Sequence, residues 1–290
     1  MRDKLFARDK ARPLVLAHRG VAVRHPENTM KAFQAALEVG ADGIEFDVFQ
    51  IADGTVVVFH DENTQRLTGE NCNIVEMTWD EVSKLRVNGT ERIPLLEEVL
   101  AEYSGRLLLN IEMKAFSPKW GRRETGAATA RIAGKYREGV FSTSFDPFML
   151  YTLEQEDSDI VSGFTYDDGM TIDFSQWSQL QRLPSGLQFI NALNGLGRNF
   201  ITFLAEGNLI GDLLNSTVIG IEHTLIDDDT IAKFHKRSMA VGTYTFFSTD
   251  PTYPNLLNDE QQKARIRELA AQRLDWIETD DPEKVLEALA

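Results

Sequence analysis

Four pairs of ionisable residues interrupt apolar stretches of this sequence at the points where buried strands would end. Charged side chains are rarely buried unless they are paired with each other or bind a metal ion. Carboxylates, imidazoles and cations in such positions could hold a metal ion, move protons and bind an anion. The pairs are His18-Arg19, Glu45 with Asp47, His60-Asp61, and Glu112 with Lys114.

The acidic members of these pairs predict a metal site. Glu45 and Asp47 are two residues apart on one predicted strand, so their side chains leave the same face, and Glu112 lies on another strand. Three carboxylates that converge without a cation would repel one another. Oxygen ligands with no cysteine nearby favour Mg²⁺ or Ca²⁺. The alternative is an ordinary solvent-facing acidic pair and a simple Glu112–Lys114 ion pair, but the recurrence of the pattern on two strands favours the metal site.

The two histidines in these pairs predict acid–base chemistry. His18 and His60 each end an apolar strand, and two imidazoles beside one carboxylate cluster suggest a general acid and a general base. Arg19 and Lys114 would supply fixed positive charge for a phosphate group. Three further histidines lack this setting and are interpreted as structural: His25, His223 and His235.

Eight short apolar runs alternate with helical patterns along the chain. Their nearly continuous apolar content is typical of parallel strands that are covered on both faces, and eight such units predict an α/β fold, a (β/α)8 TIM barrel. A doubly wound open sheet is the alternative, but no glycine-rich phosphate loop follows the first run. The carboxyl ends of barrel strands form one face, where the ionisable pairs would meet. The runs are residues 13–18, 43–48, 106–113, 139–145, 160–166, 216–222, 239–246 and 273–279, and the helical patterns are residues 29–39, 78–85, 94–103, 261–273 and 283–289.

One additional apolar run, residues 55–60, follows the second strand after a short link that contains Asp53-Gly54. An Asp-Gly pair between apolar runs indicates a hairpin, and the link is too short for a parallel crossover. A two-residue turn would place Asp47 opposite His60, whereas a bulge would shift this register by one residue.

We expect residues 1–290 to form a single barrel domain. Two other stretches, residues 167–215 and 247–260, are longer than a minimal barrel requires. They could cover the site, form a subunit contact in a homo-oligomer, or simply elaborate the scaffold.

The composition limits the partners that this chain could have. A hydrophobic content of 42% and a charged content of 26% allow a sizeable core. The net charge of −15 argues against nucleic acid, whose phosphates need a broad basic face, and leaves a small-molecule substrate. With Cys72 as the only cysteine, no internal disulfide can form. No run of about 18 apolar residues predicts a transmembrane segment, and the first residues lack the apolar core of a signal peptide, so we expect a cytoplasmic protein.

An ordered set of short motifs resembles the glycerophosphodiester phosphodiesterase family. The set is dense before residue 114 and thin between residues 167 and 250. The resemblance implies a barrel with a small insertion at residues 62–92, and an enzyme that hydrolyses glycerol phosphodiesters to an alcohol and sn-glycerol 3-phosphate. It assigns metal ligation to Glu45, Asp47 and Glu112, the base and the acid to His18 and His60 respectively, and phosphate contacts to Arg19 and Lys114. The motifs are AHRG (17–20), PENT (26–29), GADGIEFDV (40–48), DGTVVVFHD (53–61), IPLLEEVL (93–100), IEMK (111–114) and, more weakly, TSFDP (143–147) and ETDDP (278–282).

The sequence departs from the family pattern at a few positions. Ile51 replaces a threonine, Trp276 replaces a glycine, and the late tryptophan-threonine-valine-asparagine stretch reads Tyr244-Thr245-Phe246-Phe247. Tyr244 could keep an aromatic wall in the substrate pocket, while a polar contact from the asparagine is lost. Two alternatives therefore stay open: a lysophospholipase D or another phosphodiesterase on the same barrel, and a phosphodiester-binding protein without activity.

Overall fold

The sheet of this chain closes on itself. A computed structural model describes residues 5–6, 11–114, 124–167, 214–249 and 257–290. Within these ranges eight parallel strands pair side by side, and the first strand pairs with both the second and the last. The predicted TIM barrel is confirmed, with β3 as an extra strand outside it. The strands are β1 (Leu14–His18), β2 (Gly43–Gln50), β3 (Val56–Val58), β4 (Leu108–Met113), β5 (Val140–Ser144), β6 (Val161–Tyr166), β7 (Val218–Glu222), β8 (Ala240–Phe246) and β9 (Trp276–Thr279).

Helices connect the barrel strands and cover the outside of the barrel. The helix predicted over residues 29–39 begins after Thr29, whose hydroxyl oxygen accepts a hydrogen bond from the backbone N–H of Ala32 at 3.2 Å, and it buries Phe33 and Ala36. The helix predicted over residues 78–85 is shorter, because the chain continues in turns after four helical residues. The described helices are α1 (Met30–Glu38), α2 (Gln65–Thr68), α3 (Trp79–Val82), α4 (Leu96–Tyr103), α5 (Glu124–Ala133), α6 (Pro147–Glu156), α7 (Thr230–Lys236), α8 (Asp259–Ala271) and α9 (Pro282–Leu289), together with 3₁₀ turns at Ile74–Glu76 and His223–Leu225.

The hairpin between β2 and β3 forms as predicted, but its predicted register is wrong. Asp47 lies opposite Phe59, whose N–H donates to the Asp47 carbonyl oxygen at 3.0 Å, rather than opposite His60. The loop has three residues instead of two, because Gly54 takes a left-handed φ of 89° as the last of them. Asp53 stabilises this loop by accepting a hydrogen bond from the N–H of Thr55 at 3.1 Å.

β3 pairs with the part of β2 that β1 leaves unpaired. β4 pairs with one edge of β2 from Gly43 to Val48. β1 pairs with the other edge only as far as Glu45, and β3 pairs with it from Val48 onward. β3 therefore lies beyond the end of β1 on the same edge. This arrangement brings His60, which follows β3, to the face where His18 ends β1, despite the different register.

The amino-terminal end of the barrel packs around Trp276, at the position where the family pattern has glycine. Its side chain is 1% exposed and contacts the rings of Phe6 and Phe141 at centroid distances of 5.0 and 5.5 Å. The space for the indole comes from Gly242 on β8, where a Cβ atom would overlap the indole ring. A glycine on the neighbouring strand thus compensates for the large residue on β9.

The predicted insertion at residues 62–92 packs on the outside of the β2–β3 hairpin. It forms an apolar cluster of its own, in which Phe49 and Val57 from the hairpin meet Leu67 and Ile74 from the insertion. The extent of the domain, residues 1–290, stays a prediction, and most of residues 167–215 and part of 247–260 lie outside the described residues. None of the helices in the described ranges has both the length and the apolar content that a membrane crossing requires.

Candidate active site

Three carboxylates meet at the carboxyl end of β2 and β4. Glu45 and Asp47 leave the same face of β2, and the strand register places Glu112 of β4 beside Asp47. One oxygen of each lies within 4.8 Å of the others. Glu45 and Asp47 are fully buried, and Glu45 Oε1 has no hydrogen-bond partner among the described residues. The predicted acidic residues are therefore brought together in a group that could hold a metal ion.

Two cationic side chains lie against this acidic group. Lys114 Nζ is 2.9 Å from Asp47 Oδ1 and 2.5 Å from Glu112 Oε1. Arg19 Nε is 3.3 Å from Asp47 Oδ2, and the backbone N–H of Arg19 donates to Glu45 Oε2 at 3.2 Å. In a chain of net charge −15, these two residues provide local positive charge at the end of the barrel.

Glu27 and Asn28, which precede α1, hold Arg19 and Asp47 in place. Glu27 Oε1 is 3.0 Å from Arg19 Nη1. Asn28 Nδ2 donates to Asp47 Oδ2 at 2.7 Å, and the N–H of Asp47 donates to Asn28 Oδ1 at 3.2 Å. Arg19 and Asn28 both adopt a left-handed φ, 56° and 57°. Such backbone conformations cost non-glycine residues energy and persist where the surroundings impose them, which is common at functional sites.

The charges in the acidic group are unevenly balanced. Burial, together with the neighbouring Asp47 and Glu112, raises the pKa of Glu45 well above its ordinary value. Burial also opposes ionisation of Asp47, but the positive charges of Lys114, His60 and Arg19 outweigh it and lower the pKa of Asp47. Glu45 is therefore less well balanced by positive charge than Asp47.

Each of the two predicted histidines is held by a carboxylate at Nδ1. His18 Nδ1 lies 2.6 Å from Asp280 Oδ1, and its Nε2 lies 3.8 Å from Glu45 Oε2. His60 Nδ1 lies 2.6 Å from Asp61 Oδ1. A carboxylate on one ring nitrogen fixes the orientation of the ring and leaves the other nitrogen available for proton transfer.

An arginine from the insertion supports the second of these histidines. Arg66 Nε is 2.6 Å from Asp61 Oδ2, and its Nη2 is 2.7 Å from Glu27 Oε1. Because Glu27 also contacts Arg19, one chain of ion pairs runs from His60 to the cation beside the acidic group. The insertion is therefore connected to the site through charged contacts.

The surroundings shift the two imidazoles in opposite directions. Burial and Arg19 would lower the pKa of His18, but the contact with Asp280 outweighs them and the pKa is raised. Burial and the charge of Lys114 lower the pKa of His60. The contact with Asp280 thus favours the protonated form of His18, whereas burial and Lys114 favour the neutral form of His60.

Tyr244 lines a small cavity together with His18 and Glu112. β8 carries one more residue than β9 at this level, so its pairing is interrupted there. The hydroxyl of Tyr244 donates to the carbonyl oxygen of Tyr166 at 2.7 Å, and its ring meets Phe145 edge-on at 6.0 Å. The residue predicted to keep an aromatic wall is thus positioned at the site.

Several residues of this site were not among the predicted ones. Asn28 lies in the PENT motif and Asp280 in the ETDDP motif, and the resemblance assigns a role to neither residue. Asp280 directly follows β9, so its position at the end of a strand is a signal that could have identified it. Two of the histidines interpreted as structural lie elsewhere: His223 stacks on a buried phenylalanine, and His235 Nε2 is 2.8 Å from Asp275 Oδ2 at the opposite end of the barrel.

The chain is similar in sequence to known proteins over most of its length. The Glycerophosphoryl diester phosphodiesterase family matches residues 18–284. A glycerophosphodiester phosphodiesterase from Caldanaerobacter subterraneus is 34% identical over 202 residues, which are 67% of this chain and 80% of that protein. A human lysophospholipase D is 39% identical over 112 residues, which are 34% of this chain and 35% of that protein.

Solved structures show a similar fold. A phosphodiesterase from Oleispira antarctica, determined in complex with its product sn-glycerol-3-phosphate, has a TM-score of 0.70 at 22% identity and covers 96% of this chain and 97% of its own. A glycerophosphodiester phosphodiesterase from Agrobacterium tumefaciens has a TM-score of 0.67 at 22% identity, over 95% of this chain and 99% of its own. The structures support the barrel, and the sequence match over residues 18–284 shows that this chain is an enzyme of the glycerophosphoryl diester phosphodiesterase family.

Proposed function

We propose that this enzyme hydrolyses glycerophosphodiesters to an alcohol and sn-glycerol 3-phosphate with one divalent cation, Mg²⁺ or Ca²⁺, and two histidines. The observation that carries the proposal is the meeting of Glu45, Asp47 and Glu112 within 4.8 Å on the face where His18 ends β1 and His60 follows β3. A carboxylate cluster between two imidazoles suits metal-assisted cleavage of a phosphodiester.

The residues of the acidic group fit a hard cation. All three donors are carboxylate oxygens, which Mg²⁺ and Ca²⁺ prefer. Glu45 Oε1 is buried without a hydrogen-bond partner in the described part of the chain, and such an atom costs free energy unless something binds it. A cation held by Glu45, Asp47 and Glu112 would polarise a phosphoryl oxygen and neutralise the charge that develops there.

Arg19 and Lys114 are proposed to bind the phosphate group of the substrate. Both side chains are almost completely buried and are already oriented by Asp47, so little entropy is lost when an anion binds beside them. Arginine can also donate two parallel hydrogen bonds to phosphate oxygens. Their fixed charges would stabilise the extra negative charge of the transition state.

His18 and His60 are proposed to transfer the protons. One removes a proton from the nucleophile, which is water or the 2-hydroxyl of the glycerol moiety, and the other protonates the departing alcohol oxygen. If the 2-hydroxyl attacks, the product of this step is a cyclic phosphate, and water must then open the ring to give sn-glycerol 3-phosphate. The resemblance implies that His18 is the base, whereas the opposite pKa shifts of the two rings favour His60 in that role. The proposal therefore assigns the roles of acid and base to His18 and His60 together, and the leaving-group test below assigns each role to one residue.

Alanine variants of the two histidines test this proposal. A positioned acid or base contributes about 10²–10⁴-fold to the rate, so His18→Ala and His60→Ala should each lower the turnover of glycerophosphocholine by at least that factor. The substitutions should leave the circular dichroism spectrum nearly unchanged. More than a tenth of the wild-type turnover in either variant would contradict the assignment.

The nature of the leaving group separates the acid from the base. A glycerol p-nitrophenyl phosphodiester keeps the glycerol 2-hydroxyl and releases a stable phenolate that needs little help from a general acid. Replacing the general acid should therefore reduce the activity on this substrate much less than the activity on glycerophosphocholine. The histidine whose alanine variant behaves in this way is the acid. Equal losses on both substrates in both variants would contradict separate roles.

Metal dependence is tested by chelation. Excess EDTA should abolish hydrolysis, and added Mg²⁺ or Ca²⁺ should restore it, with titrations of each ion identifying the one that binds better. Full activity after rigorous chelation would remove the cation from the proposal.

A lysophospholipase D activity is the second candidate. It is supported by the similarity to a human lysophospholipase D and by the aromatic pair of Phe145 and Tyr244 beside the cavity, which could contact an apolar group. Turnover of glycerophosphocholine and lysophosphatidylcholine, measured side by side, distinguishes the two. A higher kcat/KM on lysophosphatidylcholine would favour the second candidate.

A further inference from the structure

Asp280 is a buried carboxylate whose two oxygens are both engaged at the site. It follows β9 directly and is 4% exposed. Oδ1 lies 2.6 Å from His18 Nδ1. Oδ2 accepts hydrogen bonds from the backbone N–H of Thr249 at 2.6 Å and from its hydroxyl at 2.8 Å. The carboxylate is thus held on one side by the loop after β8 and contacts the imidazole on the other.

The contact with His18 determines which ring nitrogen faces the acidic group. An ionised carboxylate can only accept hydrogen bonds, so the ring places an N–H at Nδ1 toward Asp280. Nε2 is then the nitrogen that faces the substrate side, where it lies 3.8 Å from Glu45 Oε2. Without the carboxylate the ring could rotate about its side-chain bonds or adopt the other tautomer.

We propose that Asp280 is the positioning residue of His18, and that Thr249 aligns Asp280 for this role. The proposal rests on the function proposed above, because it assigns Asp280 an effect on turnover that acts through the imidazole. It follows the general arrangement in which a base is oriented by a third group.

Asp275, at the other end of the strand that Asp280 follows, provides a matched control. It precedes β9 and makes the same type of contact, with Oδ2 lying 2.8 Å from His235 Nε2 and accepting a hydrogen bond from the N–H of Val241 at 2.7 Å. Because it lies at the opposite end of the barrel, Asp275→Asn removes a partly buried histidine–aspartate contact without touching the site.

The test compares Asp280→Asn, Thr249→Val and Asp275→Asn in the full-length enzyme with saturating Mg²⁺ or Ca²⁺. Loss of a carboxylate that hydrogen-bonds the outer nitrogen of a metal-bound histidine typically costs about 10- to 100-fold in activity, and we expect a loss of the same order for His18. We therefore expect Asp280→Asn to lower kcat by that factor with KM within about threefold of wild type, Thr249→Val to show a smaller loss in the same direction, and Asp275→Asn to keep the wild-type kcat.

A double-variant cycle distinguishes positioning from a structural effect. In a His18→Ala background, Asp280→Asn should cause no further loss of kcat, because the residue through which it acts is absent. A full additional loss there, or a wild-type kcat in the Asp280→Asn single variant, would overturn the proposal. If His18→Ala itself keeps wild-type turnover, the proposed function fails instead, so the two failures are distinguishable.

Nitrogen NMR of labelled protein gives a readout independent of activity. In the wild type, His18 in its neutral form should carry its proton at Nδ1, and Asp280→Asn should shift the population toward the Nε2 tautomer. The same tautomer population in both proteins would overturn the proposal even if Asp280→Asn folded poorly enough to lower the activity.

Discussion

Glu45 should make the protein less stable when no cation is bound. One oxygen of Glu45 lies within 4.8 Å of oxygens of Asp47 and Glu112, and at that distance and an effective dielectric constant of about 20 each pair of charges repels by about 3.5 kcal/mol. Lys114 and Arg19 offset part of this repulsion. We expect Glu45→Gln to raise the free energy of unfolding by about 1–3 kcal/mol at pH 8 in EDTA, because glutamine keeps the shape and removes the charge.

Urea unfolding with and without cation measures this effect. A ligand at 100 times its Kd stabilises the native protein by about 2.7 kcal/mol, and only a protein with all three carboxylates should gain this in full. Wild type should therefore become the more stable protein in saturating Mg²⁺ or Ca²⁺, while Glu45→Gln is more stable in EDTA and has lost its turnover. The exposed Glu70, replaced by glutamine, is the control for a change of net charge and should not respond to the cation.

The opposite result would refute the reasoning. If Glu45→Gln is less stable than wild type in EDTA, the carboxylates are already satisfied by Lys114 and Arg19. The acidic group would then be an internal ion-pair network, and the argument for a cation site would lose its electrostatic basis.

Two further predictions concern stability. Burial and Arg265 lower the pKa of His223 to about 4. Between pH 6.5 and 4 this histidine is therefore protonated in the unfolded chain but not in the native protein. Between pH 7 and 4.5 wild type should therefore lose roughly 2 kcal/mol more unfolding free energy than His223→Phe; an equal loss in urea titrations would contradict this. Gly242→Ala should destabilise by about 1–3 kcal/mol through overlap with Trp276, and by less in a Trp276→Leu background, so additive changes in Tm would exclude that contact as the cause.

The barrel could be predicted because each strand is a short apolar run that ends in polar residues. Runs buried on both faces differ clearly from the amphipathic patterns between them. The same signal identified the acidic residues, since spacing of two on one strand fixes a shared face for Glu45 and Asp47. Asp47 and Glu112 lie side by side because the barrel order makes β2 and β4 neighbours once β3 leaves the barrel.

The hairpin register could not be predicted from the Asp-Gly pair alone. That dipeptide is compatible with loops of two and of three residues, and the choice depends on contacts outside the hairpin. Asp53 Oδ2 accepts a hydrogen bond from the N–H of Trp79, which lies 26 residues further along the chain. The different register does not remove His60 from the site, because β3 pairs with the edge of β2 that leads His60 to the same face of the barrel as His18.

The partners of the histidines also depend on tertiary structure. Asp61 is adjacent to its histidine, so its contact is local, but Asp280 lies 262 residues from His18 and meets it only because β9 pairs with β1. The family pattern gives glycine at residue 276, and the space that Trp276 needs is provided by Gly242 on the next strand. Compensation of this kind is invisible until the neighbouring strands are known.

Arg66 has a consequence for anyone who would graft a different insertion onto this barrel. Its guanidinium is shared between Asp61 and Glu27, so a transplanted segment must deliver an arginine to the same place to preserve the surroundings of His60. A replacement of equal length and apolar content but without that cation would leave two acidic side chains facing each other. The positive charge of Arg66 therefore limits which segments can be exchanged between barrels more strictly than the fold of the segment does.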